Sequence, residues 1–334
     1  MKVLVTGGAG FLGRAIVPRL RERGDNVRTF QRGKYADLES LGIECFRGNL
    51  GDIDSLARAI EGCEIVFHVG AKVGVGGAHR EFYNTNVVGT RNVLELCQRY
   101  GVAKLVYTSS PSVVFTGNDD EDINESAPYP PRFLNSYSKT KAEAERLVLA
   151  ANSDHLATIA LRPHLIWGPG DTHIMPHLLK LAQARRLRLV GDGRNLVDST
   201  YIDNAAAAHL LAVDRLTTMA PCGGKAYFIT NGEPLPIAEL LGKFLRAASL
   251  TPEVRSVRPA FAYFLGAVLE NLHRVLRLSG EPLMTRFLAR ELATAHWFDI
   301  SAARKDLGYA PAISIEEGMN RLGRSLQLSA SVPS

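Results

Sequence analysis

The sequence predicts an α/β fold: a doubly wound parallel sheet with helices on both faces, followed by a smaller, mostly helical region. Three observations carry this reading. Short apolar runs alternate strictly with amphipathic segments up to about Pro163. The runs are apolar throughout rather than at every second position, as strands covered on both faces require. A glycine-rich turn joins the first run to the first amphipathic segment.

In order, "KVLVTGG" is a buried strand and "FLGRAIVPRLRERG" a helix stopped by Gly24. "NVRTFQR" and "IECFRGNL" are the second and third strands. "DIDSLARAIEGC" is a helix with Asp52 or Asp54 near its N-cap. Then come "EIVFHVGA" (strand), "NVVGTRNVLELCQRYG" (helix), "KLVYTSS" (strand), "KTKAEAERLVLAAN" (helix) and "ATIALRP" (strand). Beyond Pro163 the alternation fails. "WGPGD" and "VGDGRN" are glycine-rich loops, and "IMPHLLKLAQARR" and "IAELLGKFLRAAS" are helices without regular strands between them. Residues 1–163 are expected to form the nucleotide domain, with 197–220 returning to it. Residues 164–196 and 221–330 are expected to form a substrate-binding region.

The chain has 334 residues and a net charge of +5, with 46% hydrophobic and 22% charged residues, which is ordinary for a globular protein. The charges are scattered and the densest basic stretch, "ARRLRL", is short, so nucleic acid is not an expected partner. An anionic cofactor or substrate explains the surplus more simply. Cys45, Cys63, Cys97 and Cys222 show neither CxxC nor zinc spacing and read as reduced thiols; no metal site is expected. The first strand starts at the second residue, leaving no room for a signal peptide, and the longest apolar run, "PAFAYFLGAVL", is about half a membrane span. A cytoplasmic protein is the expectation.

"TGGAGFLG" places Gly7, Gly10 and Gly13, with Phe11 and Leu12, between a strand and a helix. Small residues there permit a tight turn, close approach of backbone N–H groups to a pyrophosphate, and close helix–sheet packing, so the turn reads as the dinucleotide site of a Rossmann domain. An acid ending the second strand would bind the ribose 2′-hydroxyl of NAD. This chain has Gln31 there, then Arg32 and Lys34, cations that can meet a 2′-phosphate. NADP(H) is expected over NAD(H).

"YSKTK" puts Tyr137 and Lys141 four residues apart where a helix begins, hence on one face. A phenol beside an ammonium is expected to be more acidic than a free one, which suits a proton donor to a carbonyl.

Taken together, "TGGAGFLG", "YTSSPS", "YSKTK", "LRPHLIWGPGD" and "VDSTYIDNAA" resemble the extended short-chain dehydrogenase/reductase superfamily, and within it the 3β-hydroxysteroid dehydrogenase branch. The longer strings, with "NGEPLP", look like the bacterial 2-alkyl-3-oxoalkanoate reductases of olefin biosynthesis. The resemblance implies that Tyr137 protonates the developing alkoxide while Lys141 lowers its pKa and holds nicotinamide-ribose hydroxyls. It implies that Ser110 hydrogen-bonds the carbonyl oxygen, with Ser109 and Ser112 near enough to compete, and that Pro163 lies beside the nicotinamide. Leu50 and Ala71 fall at further cofactor positions. Asn49 stands where the family often has Asp to bind adenine, and Gly70 where alanine is usual, a change expected to loosen packing.

The implied activity is NADPH-dependent reduction of the 3-keto group of a long-chain 2-alkyl-3-oxoalkanoate. The alternatives are a 3β-hydroxysteroid or sterol-4-carboxylate dehydrogenase and a nucleotide-sugar epimerase. Lys72, His164 and His173, with His177, are candidates to hold a substrate carboxylate, and His68 is expected to pack near the cofactor. By the same analogy the chain forms a homodimer through the helices starting near Asn86 and Tyr137. One stripe, Phe261, Phe264, Leu265, Val268, Leu269, Leu272 and Leu276, opposes Asn271, Arg274 and Arg277. It reads either as a membrane-surface helix or, the stronger expectation, as a roof over the substrate pocket.

Overall fold

The computed structural model describes residues 1–74, 76–251, 254–276, 278, 280 and 282–331, the side chains of 329–331 excepted. Arg277 lies outside the described residues. The nucleotide half runs β1 (Lys2–Thr6), α1 (Phe11–Glu22), β2 (Asn26–Gln31), α2 (Ala36–Ser40), β3 (Glu44–Arg47), α3 (Ile53–Ile60) and β4 (Ile65–His68). It continues with α4 (His79–Phe82), a π-helical turn at Tyr83–Val88, α5 (Gly89–Arg99), β5 (Lys104–Thr108), β6 (Asp120–Ile123), α6 (Ser136–Ala150) and β7 (Ala157–Pro163). After these come β8 (Ile166–Trp167), α7 (Ile174–Gln183), β9 (Arg188–Val190), β10 (Leu196–Val197), β11 (Thr200–Tyr201), α8 (Ile202–Arg215), β12 (Ala226–Ile229), β13 (Leu235–Pro236) and α9 (Ile237–Ala247). The chain ends with β14 (Arg255–Val257), α10 (Pro259–Val275), α11 (Arg286–Ala293), β15 (His296–Phe298) and α12 (Ile315–Ser331).

Seven strands form one parallel sheet in the order β12-β7-β5-β4-β1-β2-β3. Successive side chains of a strand point to opposite faces, and here each face has its own core. Val3, Val5, Phe67, Val106 and Ile159 pack with α1 and α8 on one side. Leu4, Val66, Leu105 and Ala160 pack with α3, α5 and α6 on the other. Each such buried aliphatic contributes about 1.5–3 kcal/mol relative to exposure, so register is held from both faces. Asp52 is the cap of α3: its Oδ1 accepts from the N–H of Asp54 (3.2 Å) and Ser55 (3.4 Å). Asn135 caps α6 in the same way, through the N–H of Ser138 at 2.7 Å.

The return to the nucleotide half runs further than residue 220. α8 packs on α1, β5 and β7, and β12 joins the main sheet beside β7. The helical C-terminal region also contains short strands, in a sheet of order β13-β10-β15-β6. Its β6 comes from the nucleotide half and stitches the two halves together. All four cysteines are free thiols. No helix among the described residues is long and apolar enough to cross a membrane.

α10 does not roof the pocket. Its buried residues are the small Ala262 and Gly266, and Phe261, Phe264, Leu265, Val268, Leu272 and Leu276 are exposed. A Cβ on Gly266 would lie 2.6 Å from the Thr285 carbonyl carbon, so glycine is what lets α10 sit against the start of α11.

Candidate active site

The β1–α1 turn fits a dinucleotide. Gly7 has φ +68° and a Cβ there would lie 2.8 Å from Gly70 Cα; a Cβ on Gly13 would lie 2.3 Å from Gly7 O. Gly10 is the N-cap of α1, no side chain caps that helix and its first turn holds no acid, so its orphan N–H groups are left for an anion. Phe11 is half-buried and Leu12 buried below the turn. Gly70 does not loosen the packing: an added Cβ would meet Gly7 N, Leu50 Cδ1 and Thr6 Oγ1 all at 3.2 Å. Two loops pass so closely that glycine is what fits.

At the far end, Gln31 is buried with Oε1 unpartnered, while Arg32 and Lys34 are exposed and make no ion pair among the described residues. Gln31, Lys34 and Arg47 line a cavity of about 200 Å³. Asn49 is exposed, its Oδ1 accepting from Gly51 N at 3.1 Å. Leu50 is buried against Gly70 and Gly89.

The catalytic candidates meet at the C-terminal edge of the sheet. Ser110 follows β5 and donates to Ser112 Oγ at 3.0 Å. Tyr137 and Lys141 project from the first turns of α6. Lys141 Nζ donates to Thr108 O at 2.5 Å and lies 4.1 Å from the centroid of the Tyr107 ring. Burial, only partly offset by the Glu145 carboxylate, lowers Lys141 to about 7. Tyr137 is not acidified in this ligand-free form. Burial pushes it up to about 12; a hydrogen bond with Ser110 pulls down, and the charge of Glu291 adds to the rise. The ammonium is spent on a backbone carbonyl and an aromatic face, which corrects the expectation from spacing alone. Of the three serines, it is Ser110 that bonds Tyr137; Ser109 Oγ is buried and unpartnered.

Other candidates have other partners. Lys72 pairs with Glu81 at 2.9 Å, and its backbone is clamped on both sides by the Asn86 amide, at 2.7 and 3.0 Å. His173 is exposed at the start of α7, its N–H given to Asp171, and His177 is exposed as well. Neither Lys72 nor His173 is therefore a free cation facing the site. His164 does reach it, but as a neutral ring, since burial lowers it to about 3. His68 is a packing residue, held between Thr6 (2.8 Å) and Thr90 (2.9 Å). Ala71 is half-buried and Pro163 buried at the end of β7.

The sequence reading missed Glu291 and His296. With Ser112, Phe115, Asp120 and His164 they line a slot of about 10 Å³, room for about one water. The Glu291 carboxyl has neither ion pair nor hydrogen bond among the described residues, and burial raises it to about 7. His296 gives Nε2 to Thr294 Oγ1 at 2.9 Å, that hydroxyl being spent on Arg290 O, which leaves Nδ1 bare. A signal for Glu291 existed: it stands four residues after Phe287, on the inward face of an amphipathic segment, where an acid is out of place.

Residues 4–257 match the model of the 3-beta hydroxysteroid dehydrogenase/isomerase family. The chain belongs to that family. It is an NAD(P)-dependent oxidoreductase of the extended short-chain dehydrogenase/reductase type. It is 49% identical to the 2-alkyl-3-oxoalkanoate reductase of Stenotrophomonas maltophilia (strain K279a), over 97% of this chain and 99% of that protein. It is 34% identical to the decarboxylating sterol-4-alpha-carboxylate 3-dehydrogenase of Mus musculus, over 97% and 90%. Among solved structures it resembles MoeE5 in complex with UDP-glucuronic acid and NAD, at 25% identity and TM-score 0.75, over 98% of this chain and all of that one (100%). These family members share the Rossmann-like sheet described above.

Proposed function

We propose that the protein uses NADPH to reduce the 3-keto group of a long-chain 2-alkyl-3-oxoalkanoate to the 3-hydroxy acid. The observation that carries the reading is the Tyr137 hydroxyl bonded to Ser110, beside Lys141, at the sheet edge that also holds the glycine turn. The substrate class follows the reductase that matches at 49% over nearly the full length of both chains. The bound nicotinamide cofactor supplies the hydride. Tyr137 donates the proton to the substrate oxygen, and Ser110 donates a hydrogen bond to that oxygen as its charge develops. Lys141 holds the cofactor's ribose hydroxyls and, as an ammonium, favours the Tyr137 phenolate. Pro163, Ala71 and Leu50 wall the cofactor groove, and Asn49 takes the adenine. Preference for NADP(H) rests on Arg32 and Lys34, exposed and without ion pairs, and on the lack of a carboxylate at the end of β2.

The sterol relatives share the same residue types of site, so the reading is tested against them. NADPH consumption, followed by absorbance, is expected with 2-alkyl-3-oxo acids. Turnover confined to 4-carboxysterols, or to UDP-sugars, would overturn it.

A further inference from the structure

α10 is built the wrong way round for a core helix. An amphipathic helix normally hides its large apolar side chains and exposes its polar ones. Here Ala262 and Gly266 face inward, and Phe264 is 65% and Val275 76% exposed. Phe261, Val268, Leu272 and Leu276 share that outer face, and Leu278 and Leu283 extend it through the connection to α11. A solvent-facing patch of this extent marks an interaction surface.

Its rim is basic. Arg255, Arg258, Arg274, Arg286 and Arg290 are exposed around it, against two acids among the described residues from 255 to 290, Glu270 alone, and Glu291 just beyond. Glu270 is engaged by Arg286 at 2.8 Å and Glu291 turns into the catalytic slot, so neither offsets the rim. Arg290 lies over the half-exposed Tyr263 ring, 5.1 Å from its centroid, an aromatic and cation pair suited to a polar–apolar boundary. A second copy meeting this face across a two-fold axis would set arginine against arginine.

We propose that α10 docks the protein on an anionic phospholipid bilayer, with its apolar face among the acyl chains and the arginine rim at the headgroups. The catalytic slot then lies one helix behind the membrane, because α11 carries Arg286 and Arg290 toward α10 and Glu291 into the slot. The docking stands on exposure and charge alone and does not depend on the substrate proposed above.

The test is co-sedimentation of the full chain with vesicles of phosphatidylcholine alone or of equal parts phosphatidylcholine and phosphatidylglycerol. Binding to the anionic vesicles is expected to exceed binding to the neutral ones by at least about tenfold. The pair Phe264→Ser with Val268→Ser, and separately Arg258→Glu with Arg274→Glu, are each expected to weaken it by about tenfold or more. Melting temperature and nucleotide binding should stay unchanged in both pairs, which separates lost docking from lost folding. Wild-type protein that ignores both vesicles, or variants that sediment like wild type, would overturn the proposal. So would a drop in mass by light scattering in the serine pair with no vesicle binding by wild type, since a second copy would then cover the face.

Discussion

The two ends of the cofactor groove are built on opposite principles. At the adenosine end Arg32 and Lys34 stand exposed and unpaired beside a cavity of about 200 Å³. At the catalytic end the space is about 10 Å³, Lys141 is buried and Glu291 has no partner. Charge at the open end is hydrated and costs little to keep. Charge at the closed end is resisted by burial, which drives Lys141 down to about 7, Glu291 up to about 7 and Tyr137 up to about 12. One end reads a ligand by excess charge. The other withholds charge so that small movements of protons carry large consequences.

The largest expected effect removes the closed end's acid. Tyr137→Phe should lower kcat by about 10²–10⁴-fold while nucleotide affinity, by fluorescence titration, stays as in wild type. Full turnover would show that another group gives the proton and would dissolve the contrast between the ends. At the open end, Arg32→Ala with Lys34→Ala should raise the KM for NADPH about 10–100-fold, the range of one or two charge-assisted hydrogen bonds, and leave the KM for NADH in place. Equal losses for both nucleotides would mean that these cations do not read the 2′-phosphate.

The same contrast explains what the sequence could reveal. The glycine turn, the alternating strands and the Asp52 cap depend on neighbours in the chain, so short strings contain them. Arg32 and Lys34 were legible because exposed charge needs no tertiary partner. The four-residue spacing gave Tyr137 and Lys141 a shared face, but the carbonyl that takes the ammonium belongs to Thr108, on another element. Glu291 and His296 arrive from the C-terminal region, and only the packing of α11 and β15 brings them to Ser112. Periodicity showed that α10 has an apolar face without showing which way it turns; that was decided by Gly266 meeting Thr285. Gly70 read as a slack position until Gly7 lay against it.

The smallest expected effect tests the unpartnered carboxyl itself. Burial raises Glu291 from 4.5 to about 7, so the folded protein keeps a proton that the unfolded chain has already released. Stability therefore falls as pH rises between those values, and above about pH 7 the fold carries the full cost of a buried carboxylate. Asp120 from β6, raised to about 6 by burial, lies on the same slot and titrates just below, while His164 and His296 stay neutral throughout. Glu291→Gln keeps the shape and removes the titration. It should raise Tm at pH 8 by about 3 °C, equivalent to roughly 2 kcal/mol, and leave Tm at pH 4.5 nearly unchanged. In catalysis, ionised Glu291 makes Tyr137 a poorer donor, so wild-type kcat/KM for reduction should fall as pH passes about 7 and the variant should lose part of that fall, within about tenfold. What remains in the variant reports Lys141, whose ammonium is lost over the same range. Identical pH profiles for Tm and for kcat/KM in the two proteins would show that Glu291 reaches water, and the closed end would then be no drier than the open one.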